Sequence, residues 1–423
     1  MTSPISSTFA SGVDAGRPLL NMHKINVGIS ASHDNTQMTS SPCYSTTVIG
    51  SLVSVSELDW QVLAGDNPFI GYSFLRLLQD TGCVTPAKGW HPQYLLLKRD
   101  DELVGVAPCF LKTHSRGEFV FDQAWAQAFE QHGLQYYPKL VVASPFTPVQ
   151  GHRLLAKDDE ARAALAKAVQ TLCKATTASS AHVLFVEKVD RDALEEAGYM
   201  LRQGVQFHWQ NQDYGTSEDF LTKLSRDKRK KILQDGKYVA AAGITYEWLE
   251  GERLQAAHLE FFYACYANTY HEHRSQPYLT EEFFKRAHAQ RVLQMVLILA
   301  KRGDRPVACA LNVKGGKALY GRYWGTTERV KGLHFETCYM QSIAYCIERG
   351  ISLFEGGAQG EHKMARGLMP VKTYSAHYIA DRQFAAAISD FLNREAQAVD
   401  GYVGELKMAS PFKNSINHDH PAK

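Results

Sequence analysis

No C-x-x-C pair occurs among the 423 residues. The eight cysteines (Cys43, Cys83, Cys109, Cys173, Cys265, Cys309, Cys338, Cys346) are scattered, which excludes a zinc ribbon and a thioredoxin-type redox pair. Several stand in apolar patterns where small core residues belong. An Asn-x-Ser/Thr acceptor is missing, as is a basic N-terminal segment followed by an apolar stretch; the expectation is a cytoplasmic chain. The longest mainly apolar run, 292–300, has nine residues, against about 20 for a membrane-spanning helix, so no transmembrane segment is expected. A charge surplus is also lacking: 46 Lys+Arg face 44 Asp+Glu, a formal net charge of +2. That excludes a wholly basic nucleic-acid binder and leaves only a local patch as a route to RNA, with no DNA partner expected. There is no Walker A loop, dinucleotide fingerprint or G-x-S-x-G elbow. His271-Glu-His273 lacks the i, i+4 spacing of a zinc helix, so no metal is expected.

What is present is a globular composition, 45% hydrophobic and 21% charged, long enough for two or three domains. Residues 1–50 are rich in Ser, Thr, Gly and Asn and read as a disordered extension, and 408–423 as a frayed tail. Between them, helical and strand patterns alternate. Tyr94–Leu97 and Leu103–Leu111 flank a charged turn, as do Val296–Ala300 and Pro306–Val313. Superposed, Lys98-Arg99-x-Asp101 matches Lys301-Arg302-x-Asp304, and Val104–Ala107 matches Val307–Ala310, at a constant offset of 203 residues. Each hairpin is followed by an aromatic strand (Phe119–Phe121; Leu319–Trp324), a helix and an apolar strand (His182–Val186; Ile351–Phe354). This predicts a duplicated α/β unit over 51–212 and 213–407.

Hairpin, third strand, crossover helix and next strand is the plan of the GNAT acyltransferase fold, and two in tandem that of Fem-type transferases. Gly89–Leu97, Gly117–Asp122, Tyr136–Pro148, Tyr320–Gly325 and Phe354–Lys363 resemble the bacterial FemAB-like family, labelled peptidoglycan biosynthesis/recognition, within the GNAT superfamily. The resemblance covers about 55–407 and implies tandem GNAT-like units with mixed sheets flanked by helices. It also implies an acyl- or aminoacyltransferase, with acetyl-CoA (or another acyl-CoA) or aminoacyl-tRNA as donor. A small molecule or cell-wall precursor would be the acceptor.

Five stretches carry candidate chemistry, the candidate site lying in the second unit. Glu355-Gly356-Gly357-Ala-Gln-Gly-Glu361-His362-Lys363, with Arg366 beyond, places a carboxylate at a strand exit, then a flexible loop with backbone N–H groups and positive charge. Glu355 is the candidate base. Glu361, His362, Lys363 and Arg366 are candidate substrate contacts. In Tyr320-Gly-Arg322-Tyr323-Trp324, a charged residue on an apolar sheet needs a partner, and Glu355 is the natural one. Strand alternation would put Tyr320, Arg322 and Trp324 on one face; Tyr320 and Tyr323 are candidates to face an oxyanion. Arg329-Val-Lys-Gly332-Leu-His334 occupies the place of the GNAT pyrophosphate loop, with His334 where that loop has a small residue. Thr222–Lys231, with six basic residues in ten, offers Arg226, Arg229 and Lys230 to donor phosphates. In the first unit, Lys139 precedes a Pro145/Pro148 loop that can border a cleft. The alternative reading is a non-catalytic protein that recognises a peptidoglycan precursor or another anionic metabolite.

Overall fold

The computed structural model describes residues 43–413, Gln359 excepted. Eleven strands form one sheet, in the order Ile244–Glu250, Gln294–Arg302, Arg305–Gly315, Ala318–Thr326, Leu353–Glu355, Met200–Gln210, Met369–Ile379, Ser180–Val183, Lys139–Val142, Cys109–Lys112, Trp90–Pro92. A second sheet of four joins Tyr44–Ile49, Tyr94–Arg99, Glu102–Ala107 and Leu155–Ala156.

The sequence repeat recurs as geometry. The first hairpin turns at Asp100 and Asp101, whose φ values of 48° and 69° are left-handed. The second turns at Gly303, φ 60°. Such residues match the twist of paired strands. Each hairpin carries a bulge, between Leu97 and Lys98 and between Ala300 and Lys301, again at the repeat offset. In each repeat a helix then crosses to a parallel strand: Asp159–Ala175 leads to Ser180–Val183, and residues 333–348 lead to Leu353–Glu355. Asp158 starts the first crossover helix by accepting from Ala161 N at 2.8 Å.

The repeats exchange their last strands. Met200–Gln210, ending the first, pairs with Leu353–Glu355 of the second. Met369–Ile379, ending the second, pairs with Ser180–Val183 of the first, and the two exchanged strands pair with each other over nine residue pairs. Both units therefore share one sheet.

Three expectations change. Residues 44–49, expected in the extension, pair with Tyr94–Arg99 as a strand; residues 1–42 lie outside the described ones. Phe119–Phe121 is not a strand, because Phe119 sits at φ 61°, where extended pairing cannot continue; the third strand of the first unit is Lys139–Val142. At the C-terminal end, the helix Arg382–Met408 is followed by Phe412, which bridges to Leu224, and 414–423 lie outside the described residues.

Close approach fixes one glycine. A Cβ on Gly325 would stand 2.5–2.6 Å from Cys265 on the helix Ala256–Glu272. Gly325→Ala is expected to cost about 1–3 kcal/mol, read as a lower urea midpoint at unchanged slope.

Candidate active site

Strands Ala318–Thr326 and Leu353–Glu355 are parallel neighbours only through Tyr320 and Glu355. Beyond that point they part, and among the described residues no strand pairs with the edge from Gly321 onward on that side. A cleft of about 110 Å³ opens there, lined among others by Asn312, Gly321, Trp324, His334, Tyr339, Gly356 and Gly357. Both positions call for glycine: a Cβ on Gly356 would strike Leu368 at 2.6 Å, and Gly357 has φ 86°. Asn312 is 1% exposed, and its Nδ2 has no hydrogen-bond partner among the described residues. A buried amide donor facing a cleft is a ready acceptor site for a carbonyl oxygen.

Glu355 lies at the fork, 7% exposed. Its neighbour Phe354 packs against the 333–348 helix side, so alternation turns Glu355 to the opposite face. There it aligns with Tyr320 and His208, its partners across the two adjoining strands. Burial pushes the Glu355 carboxyl up to about 8, against the pull of the Arg322 and Arg153 guanidinium groups. His208 Nε2 is 3.9 Å from Glu355 Oε2. Burial and Lys363 push that imidazole down to about 4, so it is neutral near pH 7. The same Nε2 is 3.1 Å from Gln206 Oε1 and carries the proton in that bond. Arg153, 1% exposed, donates to the carbonyls of His152 (3.0 Å) and Val149.

Arg322 does not pair with Glu355 as expected. Its Nη2 donates to Phe146 O at 2.7 Å. The cause is a bulge: Leu311 pairs with Tyr323 but Asn312 with Gly321, leaving Arg322 as the extra residue. The bulge breaks alternation. Tyr320 and Tyr323 pack on the same core, Tyr320 on Phe69 at 5.2 Å and Tyr323 on Tyr266 at 4.8 Å. Trp324 goes to the other face, 5.1 Å from His334.

The loop residues are also placed. Lys363 is buried, donates from Nζ to Gly357 O at 2.9 Å, and is pushed by burial down to about 8. Arg366 is paired with Asp235 at 2.9 Å and lies 3.6 Å over the Phe335 ring. His362 Nε2 is 3.3 Å from Tyr339 Oη, and Glu361 accepts from Tyr402. Gly332, φ 83°, starts the 333–348 helix against Asp235 of the helix Arg226–Ala241. Arg329, Arg226 and Lys230 are exposed on the surface, and Arg229 is half-buried. Lys139 lies far along the sheet, fully buried, bonded to Ser115 (2.7 Å), Glu118 (2.7 Å) and Asp122.

Sequence reading missed Asn312, His208, Gln206 and Arg153. Gln206 and His208 alternate within the apolar strand Val205–Gln210, a pattern that marks polar groups on one buried face. Nothing local marks Asn312.

The profile of the FemAB-like family, described as peptidoglycan biosynthesis/recognition, matches residues 51–414. The structure of L-PGS from Bacillus licheniformis superposes with a TM-score of 0.50 at 9% identity, covering 82% of this chain and 98% of that one. FemX gives 0.49 at 13% identity, covering 79% and 98%. A tandem GNAT protein from the clavulanic acid biosynthesis pathway gives 0.45 at 10%, covering 80% and 99%. No curated protein matches the chain in sequence. At 9% identity the likeness to L-PGS is one of fold alone, a mixed α/β arrangement. No helix among the described residues is long and apolar enough to cross a membrane.

Proposed function

From membership of the FemAB-like family, to which this chain belongs over residues 51–414, we propose that it is an acyl- or aminoacyltransferase acting at the fork of its sheet. The observation that carries this reading is the gap between the two strands, which has a buried carboxylate, Glu355, at its fork and an amide donor, Asn312, unpartnered among the described residues, in its lining. The acyl carbonyl enters the cleft on the 333–348 helix side, its oxygen toward Asn312 Nδ2 and the free strand edge at Gly321. The acceptor amine approaches from the Glu355 face. The new C–N bond forms as the carbonyl opens to an oxyanion. Glu355 takes the amine proton, directly or through water, and collapse breaks the C–O or C–S bond to the donor, whose leaving group is protonated. In this reading the surface residues Arg329, Arg226, Arg229 and Lys230 hold donor phosphates. Lys363 positions the Gly357 loop, and Arg366 ties it to Asp235.

Asn312→Leu, close in size, is expected to lower kcat about 100-fold with little change in KM, because the lost bond strengthens only as the oxyanion forms.

In this reading His334, which stands in the sequence where the GNAT pyrophosphate loop has a small residue, favours aminoacyl-tRNA as donor and a cell-wall precursor as acceptor. A thermal-shift panel with acetyl-CoA, charged tRNA and muropeptide precursors tests this. A ligand at 100 times its Kd adds about 2.7 kcal/mol. Protection by acetyl-CoA reverses the donor assignment, and no transfer to any amine acceptor from either donor sinks the reading. A second reading, recognition without catalysis, is favoured by the internal partners that already occupy Arg322, Lys363 and Arg366. Binding of a precursor without turnover is its signature.

A further inference from the structure

His208 takes no part in the transfer steps above, yet it stands opposite Glu355 in the pairing of Met200–Gln210 with Leu353–Glu355 and is 5% exposed. Its Nε2 hydrogen lies between two oxygens. Gln206 Oε1, at 3.1 Å, is within hydrogen-bond reach, and Glu355 Oε2, at 3.9 Å, is just beyond it. Gln206 is fixed from its other end, where Nε2 donates to Pro148 O at 2.7 Å. That bond turns the amide oxygen, an acceptor only, toward His208, so the imidazole supplies the hydrogen.

Charge decides which oxygen receives it. While Glu355 is protonated, both oxygens are neutral and the nearer one keeps the bond. Once Glu355 ionises, a bond to it becomes charge-assisted, roughly twice as strong as a neutral one. A movement of about 1 Å brings the imidazole within reach. Gln206 can release it, because Gln206 lines a large cavity of about 760 Å³ that runs along the exchanged strands from the Gly117 loop to Ala358. Water there can serve the vacated amide oxygen.

The remaining charges around Glu355 are placed differently. Arg322 is turned to Phe146 O, and Arg153 to the carbonyls of Val149 and His152. Glu187 is on the surface, 3.5 Å from His152. Tyr320, on the same face, keeps its proton because burial pushes its phenol up. Burial and Lys363 hold His208 neutral near pH 7. A neutral donor steadies the carboxylate without forming the ion pair that would weaken it as a base.

We propose that His208 is a positioning residue for Glu355: its Nε2–H hydrogen bond passes from Gln206 to the Glu355 carboxylate as that base ionises, and Gln206 sets how readily it is released. The inference rests on transfer at Glu355 and deepens it.

Two variants of opposite sign test it in the full chain, with charged tRNA or acetyl-CoA as donor and muropeptide precursors as acceptor. His208→Phe removes the donor, so the rising limb of the kcat/KM profile should move up by about one pH unit, an about tenfold deficit at pH 7 that narrows as pH rises. Gln206→Met frees the donor, and the limb should move down by about half a unit. His208→Gln, which restores an N–H at that reach, should return the limb toward the wild type. Limbs that stay put, or move the same way in His208→Phe and Gln206→Met, overturn the proposal.

Urea unfolding reads the same exchange with no substrate present. Glu355 binds its proton more tightly in the folded protein, so stability is lost as pH rises toward its folded pKa. The fall between pH 5 and pH 10 should be larger in His208→Phe and smaller in Gln206→Met, and both differences should vanish in a Glu355→Gln background. Gln206→Met keeps the side chain's length, so the test survives if His208→Phe fails to fold. A wild type that acylates no acceptor removes the transfer reading, and the unfolding arm still decides the exchange: falls of opposite sign uphold it, and equal falls overturn it.

Discussion

Glu355→Gln is expected to lower kcat/KM for acyl transfer about 1,000-fold and, at pH 9, to make the protein more stable than the wild type. The first effect follows from the loss of the carboxylate that takes the amine proton in the proposed mechanism; a positioned base contributes roughly 10²–10⁴. The second follows from burial. The folded-state carboxyl titrates at about 8, above its ordinary 4.5. The folded protein therefore holds that proton more tightly than the unfolded chain. Stability from this group is fully present below the ordinary pKa and is lost as pH rises toward 8. Above 8 the wild type buries a charge that Arg153 and Arg322 do not fully compensate. A glutamine removes that cost, about 2–4 kcal/mol at pH 9, and changes little at pH 5, where Glu355 is already protonated. Chemical denaturation at the two pH values reads the difference. In the wild type, kcat/KM should climb with pH and level off above about 8, and the variant should lose that limb. A variant that is inactive yet no more stable at pH 9 would show that the carboxylate is better solvated than its burial implies.

Lys139→Met is expected to destabilise the fold by about 3–5 kcal/mol at pH 8, without touching the fork. Lys139 is fully buried, with Glu118 and Asp122 on its ammonium. Burial alone would lower its pKa, and the two carboxylates raise it instead. Burial pushes Glu118 up to about 6 even with Lys139 in place; for Asp122 burial works upward too, but Lys139 wins and holds it below the ordinary range. Without the ammonium both carboxyls rise, and Lys112, 4.0 Å from Glu118 and itself pushed by burial down to about 7, is a poor substitute. The sign is therefore the raised-carboxyl one: the penalty is largest at pH 8 and shrinks toward pH 5 as the stranded carboxyls take up protons. Adding Glu118→Gln and Asp122→Asn to Lys139→Met should recover most of the loss. No recovery would mean that the apolar stem of Lys139, not its charge, holds this part of the sheet.

The network around Lys139 is larger than a salt bridge. Asp122 accepts from Tyr136 (2.6 Å), which meets His182 (3.2 Å); His182 contacts His377 through their Nδ1 atoms (2.7 Å), and His377 Nε2 reaches Ser375 (2.8 Å). Burial pushes both imidazoles well down, so both are neutral. The chain of bonds begins at Ser115 and ends at Ser375, two walls of the large cavity, and ties residues from the first repeat to the last strand of the second. Its effect is to hold that cavity's floor rigid.

Much of the fold was legible because its signals are local. The paired hairpins, with their charged turns and equal spacing, need only neighbours in sequence. Helix starts at Asp158 and Thr280 are one-residue signals, each side chain accepting from the backbone three residues on. Glu355 stood out because a carboxylate leaving an apolar strand into glycines is conspicuous by itself. Its expected partner was wrong for a reason no spacing rule contains. One extra residue in the strand, at Arg322, turns that guanidinium to Phe146 O and moves Trp324 to the opposite face. Phe119–Phe121 misled in the opposite way: its aromatic pattern reads as a strand, while its backbone is bent left-handed to form a cavity wall.

By itself the sequence determined the repeat, the α/β alternation, the charged turns and the carboxylate-glycine exit loop, since each depends on side-chain periodicity and backbone preference over a few residues. Tertiary structure alone decided the rest. Met200–Gln210 and Met369–Ile379 cross between the units because an unpaired sheet edge is satisfied by whichever strand geometry brings to it. That exchange sets His208 beside Glu355, gathers Ser115, Gln206 and Thr373 into one cavity, and leaves Asn312 facing a gap. Charge burial, which raises the Glu355 pKa and binds Lys139 to its carboxylates, is a property of what surrounds a residue in space.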